Sequence, residues 1–504
     1  MKKTTATMEN PIFTSTVTTP KLNKKSARRT KKNSPAEIEK EKFYNTLNAD
    51  QKKLFDVCCN TDSNVFITGS GGVGKSYTMR GIISTLRNCY NKQVMVCAST
   101  CTAAGILEGS TVHKAFGFGI GICANKDGKP IIHTATLMAT DIVVVDEISM
   151  VRLEMFQSLW KSIVEASDKK EALGLPRIRL FCSGDFAQLP PIISCEEEKE
   201  ELDKIFGDVK GGYAFMAPGW KEANFVNVEL KTVVRQNDKK FISRLNAVRH
   251  GEDVDTLWFF DNMCPHEIPN APYIMPFNKQ VDAYNLKEVK KLTGQMYELK
   301  PEMVADTDEA EVERLGLDKV LYLKIGAKVM FTCNCYKNAP WLDNSKLPAY
   351  IKEDDKFDWT RIHKNGSQGI VRDIEWDDEF EEWKVCVEVI DPTCVNNCLW
   401  VRRKSHEVYS YRKDVRGRLQ RYVCGEVLAL PLRLSYAISV HKSQGQSYPE
   451  ANICTDGSFA HGMAYVALSR CQSIERCHLM DAVKPWDIIC DPDVVAFYKN
   501  MKTK

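Results

Sequence analysis

The sequence predicts an α/β chain with two parallel-sheet domains, the second interrupted by a small antiparallel β module. Three observations lead there. Between residues 43 and 230, short apolar runs (NVFITG, QVMVCAS, DIVVVDE, RIRLFCSGD) alternate with helical patterns, as a parallel sheet with crossover helices requires. A second αβ series begins at PYIMPFNKQVDAYNLKEV and resumes at EVLALPLRLSYAISVHKSQGQS. Between them, KIGAKVMFTCN, GSQGIVRDIEW and WKVCVEVID alternate in period two between turn signals, the pattern of a small β-barrel.

Length agrees with this division, because 504 residues exceed what one hydrophobic core serves. The expected organisation is a disordered basic tail over 1–42, a first domain over 43–230, a second domain over 231–325 and 426–504, and the β module over 326–425. The tail carries 11 Lys and Arg against 4 Asp and Glu, so the remainder of a chain with net charge +3 is slightly acidic. Any polyanion site in the body must therefore be a local groove. Within the tail, KKSARRTKK reads as a nuclear address or a non-specific nucleic-acid arm, and the scarcity of acids also permits a mitochondrial presequence.

Nineteen cysteines in a large chain without an apolar leader read as reduced, mostly buried thiols in a soluble intracellular protein. Cys333, Cys335, Cys394 and Cys398 form two close pairs, but C-x-C and C-x3-C match standard zinc sites poorly, so burial is expected rather than zinc. No run reaches the ~20 apolar residues of a membrane helix.

The strongest local signal is GSGGVGKS, covering Gly69, Ser70, Gly71, Gly72, Val73, Gly74, Lys75 and Ser76, between an apolar strand and a helix. Glycines there let backbone N–H groups turn around phosphate oxygens at a helix N-terminus. Lys75 is expected on the β- and γ-phosphates of ATP and Ser76 on Mg²⁺. Downstream, DIVVVDE delivers Asp146 and Glu147 to a strand end, Asp146 toward Mg²⁺ and Glu147 toward the attacking water. Gln51 offers an amide with both a donor and an acceptor for the adenine edge.

These motifs do not stand alone. CASTCTAAGIL, STVHKAFG, VVVDEISM, SGDFAQLPPI, VVRQ, RLSYAISVHKSQGQS and AYVALSRC follow one another in an order that resembles the Pif-type and RecD-like superfamily 1 (SF1B) DNA helicases, including compact phage Dda-like members. The resemblance covers nearly all of 43–485. It implies two RecA-like P-loop motor domains, ATP in the cleft between them, single-stranded DNA across their tops, and 5′-to-3′ movement. It further implies a β-hairpin pin over about 116–138 and an SH3-like barrel as the second domain's insert.

By position in those motifs, Arg235 and Arg470 correspond to arginine fingers, a role worth about 10³–10⁵ in rate. Gln444, Gly445 and Tyr77 correspond to nucleotide contacts. Asp185 is expected in the magnesium shell, and Gln188 as the sensor of the γ-phosphate ahead of the stiff Pro190-Pro191 corner. Thr100, Thr102, Thr111, His113, His441 and Lys442 correspond to DNA contacts. The expected activity is ATP-dependent unwinding of forked duplex DNA by a monomer in replication, repair or recombination, with a single-strand-binding protein or replisome component as a partner. The competing class is a clamp-loader or switch ATPase that binds DNA without travelling. The expected setting is the nucleus or a viral replication site, with the mitochondrion as the alternative.

Overall fold

The computed structural model describes residues 34–118, 134–193, 196–207, 211–305, 307–315, 317–333, 335–336, 339–343, 361–363, 366–390, 398–413 and 419–503. The first domain is built on six strands: β1 (Val65–Thr68), β2 (Val94–Ala98), β3 (Ser110–Thr111), β4 (Ile142–Asp146), β5 (Arg179–Ser183) and β6 (Val226–Glu229). They are all parallel, in the order β3-β2-β4-β5-β1-β6.

Period-two geometry explains why the central strands are largely apolar. In β4, Val143 and Val145 enter the core on one face while Ile142 and Val144 enter the core on the other. Helix Leu153–Ala172 covers the first face; α1 (Pro35–Thr46), α2 (Ala49–Asn60) and α3 (Lys75–Asn88) lie on the second.

Helix α1 begins inside the segment expected to be disordered. Ser34 caps it by accepting from Glu37 N, and Glu37 returns a carboxylate to Ser34 N. This reciprocal cap, with Pro35 at the first helical position, sets the start of α1. The basic stretch before it lies outside the described residues.

The second sheet is parallel as well, with Ala437–Ser439, Tyr273–Met275, Ala451–Ile453 and Cys477–Leu479 side by side. Between its first and second segments lies a five-stranded antiparallel sheet ordered Cys398–Val401, Glu382–Val389, Gln368–Asp377, Lys328–Phe331, Leu432–Leu434. The hairpin Lys404–Lys413 with Leu419–Ala429 extends from it and pairs with Glu302–Ala305. The β module thus recruits strands on both sides of 326–425, because a short sheet needs flanking strands to cover its edges.

The C-terminal segment departs from expectation more sharply. Helix Pro492–Asn500 places its apolar side chains in the first domain's core, while Tyr498 and Lys499 touch Arg249 and Glu252 of the second domain. Val494 lies in the first domain's core, and Phe497 meets Phe215, Phe186, Phe66 and Trp220 at ring distances of 4.5, 5.4, 6.0 and 6.2 Å. Thr503 then pairs alongside Asn227 in β6.

Candidate nucleotide site and nucleic-acid face

β1 ends at Thr68 and α3 begins at Lys75, so the glycine-rich turn joins a buried strand directly to a helix N-terminus. Gly72 and Gly74 have φ of +85° and +83°, where a β-carbon is costly. A β-carbon on Gly72 would fall 2.5 Å from Arg235 Cβ, and one on Gly74 2.8 Å from Gln51 Nε2. The turn therefore requires glycine both for its own conformation and for the approach of its neighbours. Lys75 Nζ donates to Gly69 O at 2.7 Å and Ser70 O at 3.2 Å, which holds the ammonium inside the loop. Burial lowers its pKa, opposed by Asp185 and Glu147.

Ser76 Oγ donates to Asp146 Oδ2 at 3.3 Å. This hydroxyl and carboxylate are hard oxygen donors of the kind that would hold Mg²⁺. Glu147 follows at φ +51°, a left-handed conformation costing about 1–3 kcal/mol in a residue with a β-carbon. Gln444 of the second domain donates from Nε2 to Glu147 Oε2 at 3.2 Å. The Oε1 of Gln444 is buried without a hydrogen-bond partner among the described residues. Burial raises the pKa of Glu147, with Asp146 adding to it.

The opposite wall comes from the second domain and the linker to it. A cleft of about 350 Å³ is lined by Gly72, Lys75, Glu147, Gln188, Arg235 and Arg470, among others. Arg235 Nη1 donates to Ser469 O at 3.1 Å. Burial, with Arg470 beside it, brings the Arg235 guanidinium down to about 10. Arg470 is fully buried and donates to Val466 O, Ser443 O, Gln446 O and Ser469 Oγ. Two guanidiniums held side by side make a receptor for a polyanion. Tyr465 reaches across the cleft to the loop, its hydroxyl oxygen accepting from Gly71 N at 2.8 Å.

Gln51 is buried; its Nε2 donates to Val73 O at 3.2 Å and its Oε1 accepts from Asn48 N. Both halves of the amide serve the loop and the start of α2, so Gln51 braces the glycine turn. Tyr77 is exposed and shares a hydrogen bond with Thr46 Oγ1. Gly445 follows Gln444, and a β-carbon there would stand 3.6 Å from Glu147 Oε1.

Asp185 is not placed as a magnesium ligand. Its Oδ1 accepts from Arg249 Nη2 at 2.9 Å, Tyr498 OH at 3.0 Å and Ala187 N at 3.1 Å, and its Oδ2 accepts from Arg249 Nε at 3.0 Å. The guanidinium already balances the carboxylate's charge, so Asp185 is committed to the contact between the domains. The same turn meets the second domain at three further points. His461 Nε2 donates to Phe186 O at 2.9 Å while its Nδ1 accepts from Asp491 N. A β-carbon on Gly462 would fall 2.4 Å from Ala187 O and 2.7 Å from Gln188 O. Leu189 is buried in the second domain's core. Arg249, Tyr498, His461 and Gly462 carry no local motif. Only the bracketing of Gly462 by His461 and the apolar helix Met463–Leu468 hinted at a tight contact.

The DNA candidates fall on the carboxyl ends of the parallel strands. Thr100 stands two residues beyond β2 and caps helix Cys101–Ile106 by accepting from Ala103 N at 3.1 Å. Thr111 caps the next short helix by accepting from Lys114 N, and His113 is exposed on it. His441 and Lys442 stand just beyond strand Ala437–Ser439, half-buried and exposed respectively. The side chain of Thr102 and most of the pin, residues 119–133, lie outside the described residues, as does Cys394. Among the described residues no three His, Cys, Asp or Glu converge as a metal site, and Cys398 lies beside Cys386.

The family model described as PIF1-like helicase matches residues 46–256. The chain is 29% identical over 456 residues to the ATP-dependent DNA helicase PIF1 of Danio rerio, covering 87% of this chain and 62% of that relative. It therefore spans about three fifths of that relative. It is 27% identical to the ATP-dependent DNA helicase RRM3 of Saccharomyces cerevisiae, covering 91% of this chain and 68% of RRM3. Among solved structures it resembles Bacteroides Pif1 bound to ssDNA, with a TM-score of 0.70 at 23% identity over 90% of this chain and 96% of that one. The Candida albicans Pif1 helicase gives 0.66 at 26% identity, over 90% and 99%.

Proposed function

We propose that this chain, which carries a PIF1-like helicase domain over residues 46–256, is an ATP-dependent DNA helicase that moves 5′ to 3′ on single-stranded DNA. The observation that carries the reading is the cleft itself. Lys75, Ser76 and Glu147 on one parallel-sheet domain face Arg235 and Arg470 against the other, so closing the domains completes the catalytic set.

In this reading the glycine loop and Lys75 hold the ATP phosphates, and Ser76 and Asp146 would hold Mg²⁺, which would supply positive charge to the transferring phosphoryl group. Glu147, steered by Gln444, takes the proton from the attacking water. Arg235 and Arg470 stabilise charge developing on the γ-phosphoryl oxygens, and Gln188 senses that group from the strand end. Thr100, Thr111, His113, His441 and Lys442 line the strand's path over the carboxyl edges of both sheets. A clamp-loader or switch ATPase needs no second parallel-sheet half contributing to hydrolysis, and the Gln444–Glu147 contact favours the motor.

The setting proposed is DNA replication, repair or recombination, in the nucleus, a viral replication site or the mitochondrion, alone or beside a single-strand-binding protein. The test is a pair of forked duplexes, one with a 5′ tail and one with a 3′ tail, with ATP and Mg²⁺. Opening of the 5′-tailed fork alone is expected, with Lys75→Ala inactive. Opening of the 3′-tailed fork would overturn the polarity, and ATP turnover without opening of either would overturn the helicase reading.

A further inference from the structure

Two phenylalanine rings lie exposed on the second domain. Phe277 is 40% exposed and Phe459 55%, and their rings stack at 5.1 Å with 22° between planes. His441 stacks on the same Phe459 ring at 6.2 Å and 26°. The three come from separate segments, each following the carboxyl end of a parallel strand: Phe277 after Tyr273–Met275, His441 after Ala437–Ser439, and Phe459 after Ala451–Ile453.

The cluster is built rather than accidental. Phe277 occupies the N-cap of helix Asn278–Lys291, where a Ser, Thr, Asp or Asn would accept from the first turn and an aromatic ring cannot. Gly457, at φ +81°, makes room for it: a β-carbon there would fall 2.8 Å from Phe277 Cε2. Two aromatic rings left in water on the ligand edge of an open sheet forgo the burial that rings of this size ordinarily gain.

We propose that Phe277 and Phe459, backed by His441, form a stacking platform for an unpaired nucleobase of the bound strand. The inference rests on the helicase reading and deepens it: the expected contacts at Thr100, Thr111 and Lys442 address phosphates, whereas this platform takes a base. Every base has a π-face, so the platform grips without reading sequence. It supplies the second domain with a hold that does not depend on charge and so survives salt that screens phosphate contacts.

The experiment measures binding of the full chain to fluorescent oligo(dT) and to a strand of equal length made of abasic sites, over a series of salt concentrations. Phe459→Ala and Phe277→Ala are each expected to weaken oligo(dT) binding by about 5- to 150-fold, while binding to the abasic strand changes little. The slope of log affinity against log salt should stay as in the wild type, because no charge is removed. Phe459→Trp should retain the wild-type affinity. Equal losses on both strands, or no loss on either, would overturn the platform; no loss would leave the rings to a protein partner. Wild-type protein that binds neither strand would overturn the helicase reading itself, and the platform with it.

Discussion

Arg249 grips Asp185 with two N–H groups, Nη2 on Oδ1 and Nε on Oδ2, across the boundary between the two domains. Both side chains are buried, at 4% and 0% exposure. Burial alone would push the Asp185 carboxyl up, but Arg249 outweighs it and holds the carboxyl below its usual range. A depressed folded pKa contributes stability above the unfolded value of about 3.9, and that contribution is lost as pH falls through the folded value.

Arg249→Met removes one partner of this pair and strands a buried carboxylate. It should destabilise the chain by about 3–5 kcal/mol at neutral pH. Urea unfolding at pH 7 and again near pH 3 checks this: the deficit should shrink at the lower pH, where Asp185 in the variant can be protonated.

Gly462 lies where a methyl group cannot fit without displacing the Ala187–Gln188 backbone. Gly462→Ala should slow unwinding by about tenfold or more, roughly 1.4 kcal/mol on the barrier, while ATP affinity changes far less. Stopped-flow unwinding beside equilibrium nucleotide titration separates the two; an equal fall in both would refute coupling through this contact.

Glu147 must be ionised to accept a proton, yet burial, reinforced by Asp146, raises its pKa. DNA-stimulated hydrolysis should therefore fall with decreasing pH at values above the ordinary glutamate range. Steady-state turnover against pH gives the profile, and Glu147→Gln should abolish that limb together with nearly all turnover.

Phe497 inserts from the C-terminal helix among Phe66, Phe186, Phe215 and Trp220. Phe497→Ala should cost about 3 kcal/mol or more. Thermal unfolding followed by tryptophan fluorescence would report it through Trp220, which packs on the same cluster.

The glycine loop, the Asp146-Glu147 pair and the parallel sheets were legible because each depends on residues adjacent in sequence. A turn needs its glycines in place, and a strand buried on both faces needs an unbroken apolar run. Ser34, Pro35 and Glu37 spelled out a helix start that composition masked. Asp185 was misplaced because a carboxylate at a strand end looks the same whether it meets Mg²⁺ or a guanidinium, and Arg249 lies 64 positions away. The C-terminal helix was assigned to the wrong core for a similar reason: VVAFY is apolar enough for either, and only the packed aromatic cluster decides.

The return of helix Pro492–Asn500 to the first domain has a mechanical consequence. The chain crosses between the domains after β6 and again between Cys477–Leu479 and Pro492, so the two are tethered at two points. A body tethered at one point can swing in any direction, whereas one tethered at two turns only about the line that joins them. Under the proposed function, the cleft is expected to open as a door does on a pair of hinges, along one arc.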